Sequence, residues 1–105
     1  MRWGMYDRYG NHIYLTQERW EHALAKCPWL NAYFDVLETI RHGRRQQEPL
    51  QPYKYKYYWP CIALQPEFNH LVVVVIFQET TNTADQSIPN NYVVNIWAVY
   101  LYSRR

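Results

Sequence analysis

The run Leu71–Phe77, LVVVVIF, most constrains what this chain can become. It is apolar at every position, so both faces of a strand built from it need cover, and its four successive valines favour extended backbone. Such a segment belongs in the middle of a sheet. It is far too short to span a bilayer, which takes about 20 apolar residues in a helix. A second stretch, Tyr92–Tyr102, is also β-rich and apolar on both faces. Between them, Glu79–Asn91 is polar and holds Asp85, Pro89 and three asparagines, and is expected to be a long loop.

Upstream the period changes from two to 3.6. Thr16 is a good N-cap, and Glu18 lies in the first turn, where the helix dipole favours an acid. A helix from Gln17 to about Lys26 sets Trp20, Ala23, Leu24 and Cys27 on one stripe, and Pro28 ends it. A second helix starts at Asn31 or Ala32, with Tyr33, Val36, Leu37 and Ile40 at helical spacing. Arg41 and His42 complement the dipole in its last turn, and Gly43 caps it.

Residues 1–15 show no strong period. Gly10-Asn11 is turn chemistry, and His12–Leu15 is a short extended lead-in. Arg44–Glu48 is compatible with a short strand stopped by Pro49 and Pro52. Tyr53–Trp59 alternates, with Lys54, Lys56 and Tyr58 on one face and Tyr55, Tyr57 and Trp59 on the other. Pro60 and Pro66 bracket a loop. The expected architecture is one α+β domain over 1–105. Residues 1–15 lead in, 16–43 supply two N-terminal helices, and 44–105 form a three- to four-stranded antiparallel sheet.

The stretch Arg41–Pro60, RHGRRQQEPLQPYKYKYYWP, carries the chemistry. It holds Arg41, Arg44, Arg45, Lys54 and Lys56 against the single acid Glu48, with rings at Tyr53, Tyr55, Tyr57, Tyr58 and Trp59. Cations that meet phosphates beside rings that stack on bases suit single-stranded nucleic acid. The plainer reading is a solvated charged face over packed rings. The net charge is only +2, so attraction for a polyanion must come from this local cluster. Aromatic residues make up 18% of the chain, more than a core of this size needs, so some should lie at a binding surface or a homodimer interface.

Other chemistries find little support. His12, His22, His42 and His70 show no metal-binding spacing, and three glycines build no phosphate loop, so no metal or cofactor is expected. Cys27 and Cys61 form no CxxC. A disulfide between them stays open, but with no secretory signal two free thiols in a soluble cytoplasmic protein are expected. A Cys27–His22 thiol pair conflicts with the place of Cys27 on the buried stripe. Metal-free RNA cleavage remains, needing a proton acceptor, a proton donor and cations for the phosphate. His22 shares the polar side of the first helix with Glu18 and Lys26, and is either an acid–base group or a solvated side chain. His42 is better read as a helix-end cation than as a phosphate contact. Asn95, the one polar residue within an apolar strand, is either a packing amide or a group aimed into a site.

The pieces Glu18-Arg19-Trp20-Glu21-His22, Glu38-Thr39-Ile40-Arg41, Tyr57-Tyr58, Leu71–Phe77 and Val93–Tyr100 together resemble the barnase–EndoU–colicin–RelE superfamily. These are metal-independent ribonucleases of toxin–antitoxin systems, and the likeness spans most of the chain from Thr16. It implies two helices on a four-stranded antiparallel sheet and cleavage of single-stranded or ribosome-bound RNA through a cyclic phosphate, with an antitoxin as protein partner. His22 would be the catalytic histidine, Arg44 or Arg45 and Lys56 the phosphate contacts, and Tyr57 or Tyr58 the stacking or acid–base group. Arg41, Lys54, Tyr55 and Asn95 would complete the RNA surface. Cys27 and Asn95 depart from the pattern where a histidine and a serine or threonine are expected, which points toward an altered mechanism or RNA binding without cleavage, while a metal-independent endoribonuclease or toxin-like relative stays the leading expectation. The alternative to an enzyme is therefore a non-catalytic RNA- or protein-binding module.

Overall fold

A computed structural model describes residues 2–26, 33–60 and 69–100. Among the described residues the chain is mostly β, with two helices. Strands β1 (Arg2–Tyr6) and β2 (His12–Thr16) precede helices α1 (Gln17–Lys26) and α2 (Tyr33–His42). Strands β3 (Arg44–Glu48), β4 (Gln51–Pro60), β5 (His70–Ile76), β6 (Glu79–Thr81), β7 (Ser87–Pro89) and β8 (Asn91–Val99) follow. Six strands form one sheet in the order β1-β2-β8-β5-β4-β3, and β6 pairs with β7 as a separate hairpin.

This corrects the expected α+β fold with its three- to four-stranded antiparallel sheet. The sheet has six strands and is mixed, because β2 runs parallel to β8 through Ile13↔Asn91 and Tyr14↔Tyr92. Residues 1–15 are not a lead-in. Residues 2–16 form the β1–β2 hairpin, in register from Arg2↔Thr16 to Tyr6↔His12. Its strands are only five residues long and share few alternating positions, so local period reveals little; Met5, Ile13 and Leu15 are nevertheless fully committed to the core. The expected Glu79–Asn91 loop likewise contains the β6–β7 hairpin, whose strand residues are all exposed and so lack apolar alternation.

Other local expectations hold. The backbone N–H of Arg19 donates to Thr16 Oγ1 at 3.2 Å, the N-cap of α1. Ala23 is buried, and Trp20 and Leu24 pack against the core. In α2, Val36 and Ile40 are buried and Leu37 lies beside them. β5 is central, paired to β4 on one side and β8 on the other. The start of the second helix, Cys27, Cys61 and the Pro60–Pro66 loop fall on positions that lie wholly or partly outside the described residues.

One sheet face meets the helices. Tyr57, Val73 and Ile96 form a cross-strand row there, flanked by Leu71, Val75 and Val93, and all pack with Val36, Ile40 and Ala23. Each buried aliphatic side chain contributes about 1.5–3 kcal/mol relative to exposure. α1 lies against β2 and β8, and α2 against β1, β4 and β5. The sheet curls on this side. The Asp7–Asn11 turn, closed by Gly10 at φ 88°, reaches from the β1–β2 end of the sheet to β4 and β3 at the other. A flat sheet would hold β2 and β4 about 14 Å apart.

Candidate nucleic-acid interface

The other face of the sheet carries no helix, and strand register decides what stands on it. Antiparallel partners share a face, and residues two apart along a strand do too. One row across it is Arg44, Tyr58, Val72 and Trp97. The next is Gln46, Lys56, Val74 and Asn95. Beyond these come Lys54, Ile76 and Tyr92, with Tyr14 beside Tyr92 at a ring separation of 5.8 Å. Val72 and Val74 are buried yet stand apart from the helix-side core cluster, because the long side chains on either side roof them. The open face is therefore a shallow trough. β5 gives an aliphatic floor, β3 and β4 a margin with the cations Arg44, Lys54 and Lys56, and β8 an opposite margin with Tyr92 and Trp97.

Two hollows open on this face. The larger, about 610 Å³, is lined by Arg44, Arg45, Gln46, Tyr58, Trp59, Pro60 and His70. The smaller, about 360 Å³, is lined by Glu48, Gln51, Lys54, Lys56, Val74, Val94, Asn95 and Trp97. Lys56 stands by the second. Its Nζ lies 2.7 Å from Glu48 Oε2 and 5.7 Å from the centre of the Trp97 ring. The bond to Glu48 raises the Lys56 pKa above its ordinary value, so the side chain stays cationic. A bulge between Val74 and Val75 lets Val94 and Asn95 share the margin of the smaller hollow. Asn95 Oδ1 accepts from Lys26 Nζ and from the Ile96 N–H, both at 2.9 Å, so its amide is anchored to the end of α1.

In the larger hollow, Arg44 is exposed and forms no ion pair with a described residue. His70 is half-buried, and burial holds its imidazole below the ordinary histidine pKa. Nδ1 of His70 lies 2.8 Å from Oδ1 of Asn69. An amide oxygen only accepts, so with this partner Nδ1 carries a proton, and Nε2 accepts in the neutral ring and donates in the imidazolium.

Of the residues expected at a site, the structure brings Arg44, Lys54, Lys56, Tyr58 and Asn95 to this face. It does not bring His22. That side chain is exposed on α1 and lines neither hollow. Between β8, against which α1 packs, and β3, which carries the arginines, lie β5 and β4. Arg41 is exposed on α2 and also lines neither hollow.

Arg45, Tyr55 and Tyr57 belong to the helix side. The Arg45 guanidinium sits 4.4 Å from the ring centres of both Tyr9 and Tyr55, and its Nη1 is 3.7 Å from Asp7 Oδ2. Tyr57 is fully buried and donates to Asp7 Oδ2 at 2.6 Å. Burial, then the bond to Asp7, pushes the Tyr57 hydroxyl far above its usual pKa. These groups fasten the curled sheet; Tyr55 and Tyr57 line neither hollow, while Arg45, on the edge strand, also borders the larger one.

Three residues that local pattern does not single out matter here. Trp97 reaches the open face through the register of β8 with β5, and His70 through that of β5 with β4, which the chain's local period cannot supply. Asp7, buried at the hairpin turn, carries only the weak signal of an Asp followed three residues later by Gly. Among the described residues no group of three or more His, Cys, Asp or Glu could hold a metal ion, and no helix is long and apolar enough to cross a membrane. Comparison with protein-family models, curated proteins and solved structures finds no match to this chain, so its likeness to the ribonuclease superfamily rests on the short motifs alone.

Proposed function

We propose that this protein binds single-stranded RNA along its open sheet face as a non-catalytic module. The observation that supports this is the trough itself, with Arg44, Lys54 and Lys56 along one margin and Trp97 and Tyr92 along the other. Phosphates follow the cations, and bases lie over the rings, which stack on any base. Binding of cellular RNA would place the protein in the cytoplasm. His22 has no part in this reading, since it stands on α1 away from both hollows.

Salt tests it. Three phosphate contacts on a single strand give a slope of log K against log salt of about −2. Fluorescence anisotropy with a labelled oligoribonucleotide should show that slope, and Lys54→Ala with Lys56→Ala should flatten it by about 1.4. Affinity indifferent to salt would remove nucleic acid as the ligand.

A further inference from the structure

The larger hollow contains more than a strand passing over a flat face requires. Its volume of about 610 Å³ lies within the range of small-molecule sites, ~300–1,000 Å³. Arg44 and Tyr58 are direct cross-strand partners, so their Cβ atoms stand about 5 Å apart. His70 pairs with Pro60, two residues along from Tyr58, which makes it a diagonal neighbour at about 7–8 Å. A guanidinium with no described ion-pair partner, an imidazole held by Asn69 and a phenol ring thus converge on one concavity.

We propose that this hollow holds a nucleoside monophosphate unit, with the phosphate between Arg44 and His70 and the nucleoside against Tyr58. A guanidinium matches phosphate oxygens in a two-point fork. Asn69 holds the Nδ1 edge of His70, so its Nε2 edge is the one left for the ligand, and it donates to a phosphate oxygen as the imidazolium, which the charge of the anion favours. The phenol face supplies the stacking surface. The unit arrives either as a free mononucleotide or as the phosphorylated end of an RNA strand. Only the strand-end form rests on the RNA-binding reading above.

The test uses the full chain with adenosine monophosphate, adenosine, and one oligoribonucleotide with and without a 5′-phosphate. Affinities come from calorimetry, and the His70 ring proton in NMR reports where the ligand sits. The monophosphate should bind at least about tenfold more tightly than adenosine, as one charge-assisted contact requires, and should shift the His70 signal. Arg44→Gln should reduce that discrimination to about unity, and His70→Gln should weaken it. Arg19→Gln, a cation removed from the exposed side of α1, should leave it unchanged.

A preference for the mononucleotide over the phosphorylated oligomer assigns the free ligand, and the reverse assigns the strand end. Equal binding of monophosphate and adenosine, no binding of either at millimolar concentration, or loss in Arg19→Gln matching that in Arg44→Gln would overturn the proposal. Salt-dependent oligomer binding without phosphate discrimination would sink the hollow and spare the trough. Phosphate discrimination without oligomer binding would do the opposite.

Discussion

The Tyr57 hydroxyl donates a 2.6 Å hydrogen bond to Oδ2 of Asp7, joining residues 50 positions apart. It fastens the turn of the first hairpin to the second-last strand position at the far side of a six-stranded sheet. Both carboxylate oxygens are otherwise engaged. Oδ1 accepts from the Tyr9 and Asn11 N–H groups, and Oδ2 also accepts from Asn11 Nδ2. Removing one donor leaves a buried charge short of a partner. Tyr57→Phe should therefore cost about 1.5–3 kcal/mol, read as a lower midpoint in urea with the slope unchanged. A change below about 0.5 kcal/mol would mean that the bond adds nothing net.

The same carboxylate predicts an acid limb. Burial alone would raise the Asp7 pKa, but the bonds from Tyr57, Asn11 and Tyr9 together outweigh it and hold it below the ordinary 3.8. The folded chain thus takes up this proton less readily than the unfolded chain. The resulting stability is complete above about pH 4 and is lost as pH falls through the folded-state value. Denaturation midpoints measured from about pH 6 down to about pH 2.5 should fall more steeply at the acid end in the wild type than in Asp7→Asn. Parallel curves would show that Asp7 is not the group responsible.

Gly43 joins α2 to β3 where no side chain fits. Its N–H donates to the Thr39 carbonyl at 2.9 Å, and a Cβ there would collide with the carbonyl oxygens of Thr39 and Tyr58. Both obstacles are backbone and cannot swing aside. Gly43→Ala should destabilise by about 1–3 kcal/mol, the usual cost of overpacking. Thermal unfolding checks this, and an unchanged Tm would show that the backbone yields at this junction.

On the open face, Trp97 should contribute through stacking and His22 should contribute nothing. Trp97→Ala should weaken oligoribonucleotide binding by about 1–3 kcal/mol, while His22→Ala leaves it within error. The reverse ranking in an anisotropy titration would move the RNA surface to α1.

Much of the candidate site was legible in the chain because β4 alternates. Lys54, Lys56 and Tyr58 had to share one face and Tyr55, Tyr57 and Trp59 the other, whatever lay above them. Arg44 followed once β3 paired with β4, and Arg45, its neighbour, was thereby turned to the opposite side. Trp97 was less accessible, because the bulge at Val74/Val75 shifts the parity of β8 and local alternation then gives the wrong face. His70 depended on the β4–β5 register, which spans a connection whose length carries no register information.

By itself the sequence determined the two helices, with cap and apolar stripe, and the central place of the valine-rich strand. Those properties arise within a few residues, from rotamer preference, backbone hydrogen bonding and period. Only the tertiary structure decided that Arg2–Tyr6 and His12–Thr16 join the sheet, that β2 lies parallel to β8, and that Asp7 meets Tyr57 and Arg45. Strand pairing between distant segments is chosen by how the whole core closes, which is a property of shape and burial and not of local propensity.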